Sequence, residues 1–309
     1  MTTTTSKSDK AAGRVLLPSH VVPIRYDLSI TPDLQAFTFV GTIHIVMNIN
    51  KDSKDMTNEA ASKSITLHAK ELAFNSASYR LANTSEDVKA VEINVNLKAT
   101  TVEFVFEKPF TSGGDSLTLT IQYTGCLNNQ MAGFYRSSYT DIHGNVQIMA
   151  STQFESLDAR RAFPCVDEPA AKAVFGVTLT IPSNRQCFSN MPVSQQVTLP
   201  NNQTKVSFLD TPKMASYLLA FCVGEFDSVQ QLTKGGVLVQ VYTPPGKSEQ
   251  GRFALDAACQ ALDAYNDFFQ IPYPLPKLDM VAIPEFAMGY VTKLCDTLLC
   301  RLVSYCNDH

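Results

Sequence analysis

The sequence predicts a mainly β protein, in which an antiparallel β domain of saddle or sandwich form precedes an incomplete α/β segment. Apolar and polar residues alternate over most of the first two thirds of the 309-residue chain. The alternating runs follow one another too closely for helical crossovers, which favours antiparallel neighbours. Beyond residue 225 the pattern changes to strand, helix and strand, which is typical of an α/β arrangement.

The β domain is predicted to span residues 15–225, after a disordered tail at residues 1–14. Each predicted strand has one apolar face, and the alternation is clearest in the runs 24–30, 37–49, 91–97, 102–106 and 117–123. Shorter patterns predict further strands near residues 175–181, 205–209 and 217–223.

The α/β segment is predicted to span residues 226–289, with strands at 237–242 and 278–283. A helix is expected between Ser248, a suitable N-cap residue, and Pro272, which ends it. The helix prediction rests on apolar residues at four-residue intervals, namely Phe253, Ala257, Ala261, Tyr265 and Phe269. This face would need the β domain or a partner to cover it. The segment is expected to be too short for a complete second domain.

The composition argues against nucleic-acid-binding and membrane-spanning proteins. The net charge is −4, from 25 basic and 29 acidic residues, and no basic stripe is present. No apolar run approaches the roughly 20 residues that a membrane-spanning helix needs. Residues 1–14 contain no apolar signal region, so we expect a cytoplasmic protein whose 8 cysteines are reduced.

One segment, residues 151–169, combines two arginines, several acidic residues and a Pro-Cys step without periodicity. Gln153 and Glu155 stand two apart in it, so on an extended backbone both side chains project to one side. Their oxygens could together accept hydrogen bonds from a ligand's ammonium group. Alternatively, Glu155 and Asp158 form surface ion pairs with Arg160 or Arg161. The residues alone leave both interpretations open.

The run TQFESLDARRAFPCVDEPA, at residues 152–170, resembles a signature of the gluzincin zinc aminopeptidases, the family of puromycin-sensitive aminopeptidase and aminopeptidase N. Five more segments agree with that family in order and spacing: residues 17–28 from LP to PIRYDL, GFYRS (133–137), KMASYL (213–218), VYTP (241–244) and YPLPKLD (273–279). The resemblance covers residues 15–289. It is greatest for the cytosolic, puromycin-sensitive branch.

The resemblance implies a β-rich N-terminal domain followed by the beginning of a thermolysin-like catalytic domain. In this family the Q-x-E pair receives the free amino terminus of a peptide, which assigns Gln153 and Glu155 to substrate binding. The loop that contains Met131 and the segment that ends at Gly289 resemble two further substrate-contacting regions.

The other polar residues of the signature resemble structural ones, namely Asp158, Arg160, Arg161, Asp167 and Glu168. Asp167 is a suitable N-cap for a helix that would begin near Pro169. Cys165 has no activating neighbour in the sequence, so we expect a buried, unreactive thiol there.

The family's chemistry requires motifs that this sequence does not contain. These are G-A-M-E-N, then H-E-x-x-H with a distant glutamate, in which the histidines bind zinc and a glutamate acts as general base. None of the 5 histidines is followed by glutamate, and no two are four apart. His44 and His68 are expected to be solvated on polar strand faces. We therefore predict no catalytic residue, metal ligand or cofactor in this chain, although the parent family uses zinc.

Residues 290–309 are predicted to be a non-homologous tail, because we find no resemblance to the family beyond Gly289. Cys295, Cys300 and Cys306 lack the C-x2-C spacing of a zinc knuckle, so we expect no metal site there. An alternative exon, a frameshift and a gene-model error would each explain this tail, and the sequence does not decide between them.

The sequence thus predicts the N-terminal fragment of a zinc metalloaminopeptidase, which binds peptide amino termini but is inactive alone. The alternative is a truncated isoform that acts as a module for binding peptides or full-length subunits. Neither the side-chain preference nor the oligomeric state follows from the sequence.

Overall fold

The computed structural model describes residues 16–54, 61–110, 115–141, 143–284, 290–293 and 297–300. These residues confirm the mainly β prediction. They form one α-helix and nineteen strands: β1 Val21–Asp33, β2 Thr38–Ile49, β3 Ser64–His68, β4 Leu72–Leu81, β5 Val88–Asn96, β6 Thr101–Phe106, β7 Ser116–Cys126, β8 Gly133–Thr140, β9 Val146–Gln153, β10 Val174–Pro182, β11 Gln186–Ser189, β12 Val193–Leu199, β13 Gln203–Phe208, β14 Phe221–Gly224, β15 Asp227–Leu232, β16 Leu238–Thr243, α1 Arg252–Phe269, β17 Lys277–Ala282, β18 Tyr290–Lys293 and β19 Thr297–Cys300.

The described strands form three sheets. The largest has the order β12-β13-β10-β1-β2-β7-β4-β5-β6-β3, the second β11-β14-β9-β8, and the third β15-β16-β17-β19-β18. Neighbouring strands are antiparallel except for β1 with β10, β16 with β17, and β17 with β19. The two parallel pairs of the third sheet agree with the α/β pattern predicted beyond residue 225.

Period-two alternation correctly identifies strands with one buried face in β1, β2, β6 and β7. Tyr26, Leu28 and Ile43, for example, are fully buried in the main hydrophobic core. Strand β5 shows the same alternation, yet Val91 and Val95 are 60% and 48% exposed. Alternation shows that a strand has one apolar face, but it does not show whether a second layer covers that face.

Helix α1 lies where it was predicted, but a different face of it contacts the sheet. Leu255, Cys259 and Leu262 pack in one buried cluster with valines of β16. Phe253, whose spacing helped to predict the helix, is 84% exposed, because apolar residues occupy two faces and periodicity cannot choose between them. The predicted N-cap is wrong, since Ser248 begins a 3-10 turn and no side chain caps α1. Within the described residues, no helix is both long and apolar enough to span a bilayer.

The third sheet packs against the second through an apolar cluster and one buried ion pair. Tyr242 of β16 stacks on Phe188 of β11, with ring centroids 3.9 Å apart. The buried Lys277 ammonium pairs with the Asp279 carboxylate and donates a hydrogen bond to the Ser189 carbonyl oxygen at 3.0 Å. The ion pair thereby joins β17 to the end of β11.

The segment that follows β9 folds back onto the main core through two aromatic anchors. Phe154 and Phe163 are both fully buried. The Phe163 ring contacts Tyr26 and Phe175, with centroid distances of 6.2 and 6.3 Å. Buried aromatic side chains contribute large apolar areas, so these two anchors hold both ends of the turn between them.

Asp167 is the centre of a buried hydrogen-bond network beside these anchors. Its carboxylate accepts hydrogen bonds from Arg160 Nε at 3.0 Å and from Ser216 Oγ at 2.8 Å. Arg160 also donates to Thr100 Oγ1 at 2.8 Å, and the Asp167 backbone N–H donates to His68 Nδ1 at 3.1 Å. Because both charges have matched partners, the network fixes residues 160–167 against β3.

This network corrects two predictions. Asp167 is not an N-cap, because the residues after it form a turn rather than a helix, and its carboxylate is bound by Arg160. His68 is not solvated but only 6% exposed, because a segment distant in sequence covers its polar strand face. His44, on the equivalent face of β2, is exposed as predicted.

We expect Asp167→Asn to destabilise the fold strongly. The substitution leaves the buried Arg160 guanidinium without a counter-charge, which costs about 3–5 kcal/mol in comparable buried pairs. The matched control is Asp210→Asn, which removes an exposed partner 2.6 Å from Arg25 and should cost less than about 1 kcal/mol. Urea denaturation measures both values, and equal losses in the two variants would contradict the assigned role of the network.

A second prediction concerns the contribution of the buried Lys277–Asp279 pair to stability. Lys277→Met alone leaves the Asp279 carboxylate buried without its partner and should cost about 3–5 kcal/mol. The double variant Lys277→Met/Asp279→Leu replaces the pair by apolar groups and should unfold within about 1 kcal/mol of the wild type, or be more stable. A double variant as unstable as the single one would disprove this account of the pair.

The same pair predicts a pH dependence. Burial raises the pKa of Asp279 above its ordinary value of 3.8. The contribution of Asp279 to stability is therefore fully present below pH 3.8 and is lost as the pH rises through the raised pKa. Urea denaturation from pH 3 to pH 7 should show this loss in the wild type relative to the double variant, in which the group is absent.

Candidate functional site

Gln153 ends strand β9 with its side chain buried but only partly hydrogen-bonded. The residue is 5% exposed, and its Nε2 group donates to the Glu155 carbonyl oxygen at 3.3 Å. Its Oε1 atom is buried and has no hydrogen-bond partner among the described residues. A buried acceptor without a partner is costly, so this oxygen is suited to accept a hydrogen bond from a ligand.

Glu155 lies two residues beyond the end of β9 and is exposed. The backbone turns there, with the Asp158 N–H donating to the Phe154 carbonyl oxygen at 2.9 Å. One of the surface ion pairs that the sequence suggested is present, since Asp158 pairs with Arg161 at 2.8 Å. The Glu155 carboxylate, in contrast, forms no ion pair within the described part of the chain. The contact between the two residues runs from the Gln153 side chain to the Glu155 backbone, and the Glu155 side chain is exposed to solvent.

Strand pairing brings the Met131 loop to the same place. Gly133, at the start of β8, pairs with Gln153 of β9. Met131 has a φ of 55° and is partly buried against the apolar cluster between the second and third sheets. Asn128 closes the loop, because its side chain donates to the Ala132 carbonyl oxygen at 2.9 Å and accepts from a backbone N–H at 2.8 Å. Met131 thus lies two residues before the position that pairs with Gln153.

Two partners of Arg161 at this site, Glu71 and Gln130, could not be identified as such from the sequence. The Arg161 guanidinium pairs with Glu71, which is 90 positions away, and donates to Gln130 Oε1, which is 31 positions away, at 3.4 Å. No local spacing could have revealed contacts of this range. Only the three-residue interval between Asp158 and Arg161 was visible in the sequence. Gly289, the remaining predicted contact, lies outside the described residues.

Cys165 is not a nucleophile. The side chain is fully buried, and burial raises the pKa of its thiol well above the ordinary value. The thiol therefore stays protonated at neutral pH, which confirms the predicted unreactive role.

The residues present do not fit the zinc ion that the resemblance implies. Among the described side chains, no group of three or more His, Cys, Asp or Glu residues is placed to hold a metal ion. The full sequence contains no two histidines four apart. The tail cysteines Cys295 and Cys306 lie outside the described residues, and the side chain of Cys300 is not described. The two oxygen acceptors, on Gln153 and Glu155, are of a type that favours a positively charged donor.

Two family profiles match the chain. The Peptidase M1 N-terminal domain matches residues 22–218, and the Peptidase family M1 domain matches residues 253–299. The first match contains Met131, Gln153 and Glu155.

Similar proteins are aminopeptidases from plants and animals. Aminopeptidase M1-C of Oryza sativa subsp. japonica is 42% identical over 282 residues, which are 91% of this chain and 30% of the relative. Puromycin-sensitive aminopeptidase of Caenorhabditis elegans is 40% identical over 274 residues, or 88% of this chain and 28% of the relative. Endoplasmic reticulum aminopeptidase 1 of Homo sapiens is 37% identical over 277 residues, or 89% of this chain and 28% of the relative.

The chain therefore spans about three tenths of the length of these relatives. The match to the Peptidase M1 N-terminal domain covers more than half of the residues of this chain. This chain belongs to the M1 peptidase family, whose N-terminal domain and the start of whose peptidase domain it carries.

Proposed function

We propose that this chain binds the free amino terminus of a peptide, with the ammonium group held by Gln153 and Glu155. The unpartnered Oε1 atom of Gln153 is the observation that carries the proposal. One neutral and one charged oxygen suit a cation that can donate three hydrogen bonds. The names of the relatives support the choice of an amino terminus as the ligand.

The apolar surface of Met131 completes the proposed site. A peptide whose ammonium group contacts Gln153 would place its first side chain near the loop that opens β8, because Gly133 pairs directly with Gln153. Met side chains adapt to ligands of different shape, so this contact favours apolar first residues without selecting one strictly. We also propose Gly289 as a substrate contact, on the resemblance alone.

We propose that the 309-residue chain binds peptides without cleaving them. Zinc would supply an activated water for hydrolysis in a complete M1 aminopeptidase. In the proposed site, Gln153 and Glu155 instead bind and orient the amine. We propose the cytoplasm as its location, on the resemblance to the puromycin-sensitive branch.

A second candidate function is attachment to a full-length aminopeptidase subunit of the same family. The outer face of α1 supports it, because Phe253, Tyr265 and Phe268 are 84%, 61% and 79% exposed. An aromatic stripe of this kind is typical of a contact surface. Phe253→Ser with Phe268→Ser should abolish co-sedimentation with such a subunit and leave amine binding intact. Unchanged co-sedimentation would rule this candidate out.

We expect the chain to bind leucinamide and to discriminate against N-acetyl-leucinamide, which has no ammonium group. Glu155→Gln should weaken leucinamide binding about tenfold to a hundredfold, because a hydrogen bond to a charged group contributes about 1.5–3 kcal/mol. Binding by the wild type should also weaken above pH 8, since the α-amino group of a peptide loses its proton at about 7.7–8.0. NMR titration at millimolar ligand concentrations measures each affinity.

The matched control is Glu107→Gln, which removes an exposed carboxylate from a position outside the site. This variant should bind leucinamide like the wild type. Equal binding of the free and acetylated compounds, or an unchanged affinity in Glu155→Gln, would refute the proposed function.

A further inference from the structure

The Arg161 side chain joins three separate segments around the proposed binding site. Its Nε donates to Asp158 Oδ1 at 2.8 Å, within the turn that carries Glu155. Its Nη1 atom pairs with Glu71, in the turn between β3 and β4, and donates to Gln130 Oε1 at 3.4 Å, in the Met131 loop. The side chain is only 10% exposed, whereas its partners Glu71 and Asp158 are 49% and 28% exposed.

Only an arginine can make this set of contacts. The guanidinium group is planar and presents five donors in fixed directions, so it can reach acceptors on different segments at once. A lysine ammonium is a compact charge that would reach fewer of them. The surrounding network therefore depends on the shape of the side chain as well as on its charge.

The backbone around Arg161 is adapted to it. Gly133 has a φ of 72°, and a Cβ atom added there would lie 2.5 Å from the Arg161 Cβ atom. The absence of a side chain at Gly133 thus lets the arginine stem pack against the start of β8. Glu71 and Met131 also adopt left-handed conformations, with φ values of 59° and 55°. Non-glycine residues hold such conformations only where their surroundings stabilise them, and here both lie on segments bound by Arg161.

We propose that Arg161 is a positioning residue, which holds the Glu155 turn and the Met131 loop in one relative geometry for amino-terminus binding. The inference rests on the proposed function for the identity of the ligand. The tether itself rests on contacts of Arg161 that involve no ligand. Asp158 lies in the turn that carries Glu155, and Gln130 lies in the loop that carries Met131, so the Arg161 side chain links these two segments.

Arg161→Gln is the variant that tests this link. Two backbone amides report on the two segments: the Asp158 N–H, bonded to Phe154, and the Gln130 N–H, bonded to Asn128. In the variant both amides should exchange with solvent at least tenfold faster than in the wild type. The affinity for leucinamide should fall at least tenfold. The matched control Arg80→Gln removes a guanidinium from an exposed pair with Asp87 and should change neither measurement.

Two further variants keep the test decisive. Arg161→Lys keeps the charge but not the planar fork, so it should recover affinity and exchange protection only in part. Glu71→Gln removes one partially exposed partner of Arg161 and should accelerate exchange at both amides by a smaller factor than Arg161→Gln does. If Arg161→Gln does not fold, Glu71→Gln takes its place in the test. Full recovery of affinity and of exchange protection in Arg161→Lys would overturn the proposal, because the charge alone would then explain the effect.

The outcomes separate this inference from the proposed function. If the wild type does not bind leucinamide, the proposed function fails, and with it the positioning role of Arg161 toward that ligand. If the wild type binds but Arg161→Gln exchanges and binds like the wild type, the inference fails alone. Faster exchange at both amides together with weaker binding supports the proposal.

Discussion

The buried ion pair between Arg160 and Asp167 is the constraint on which the site depends. Both charges are removed from water, so the pair is stable only because Ser216 and Thr100 supply the remaining hydrogen bonds. The fully buried Phe154 lies just before this network. A segment without regular secondary structure is thereby fixed against the core, and the turn that carries Glu155 has one defined position.

The two consecutive arginines, Arg160 and Arg161, bind different parts of the structure. Arg160 binds the buried Asp167 and fixes the segment as a whole, whereas Arg161, whose side chain is also only 10% exposed, binds three less buried side chains, those of Asp158, Gln130 and Glu71. The first contact set determines the fold of the segment. The second determines how one loop lies relative to another, which is a requirement of binding rather than of folding.

The sequence predicts the fold best where a local pattern and burial coincide, as in the strands that contain Tyr26 and Ile43. It fails where a segment distant along the chain decides the environment, as for His68, which the Asp167 segment covers. The α1 helix was located correctly, but its buried face was not, because both of its apolar faces repeat at the same interval. The two-residue spacing of Gln153 and Glu155 left a binding role open, and only the resemblance to a family favoured it, since nothing in local spacing shows an unpartnered oxygen.

A crystal structure of the chain with leucinamide tests the central claim most directly. The account predicts the ligand's ammonium nitrogen within hydrogen-bond distance, about 3 Å, of both Gln153 Oε1 and the Glu155 carboxylate, with the leucine side chain against Met131. A ligand bound elsewhere, or one bound here with its amide rather than its amine toward Glu155, would contradict it.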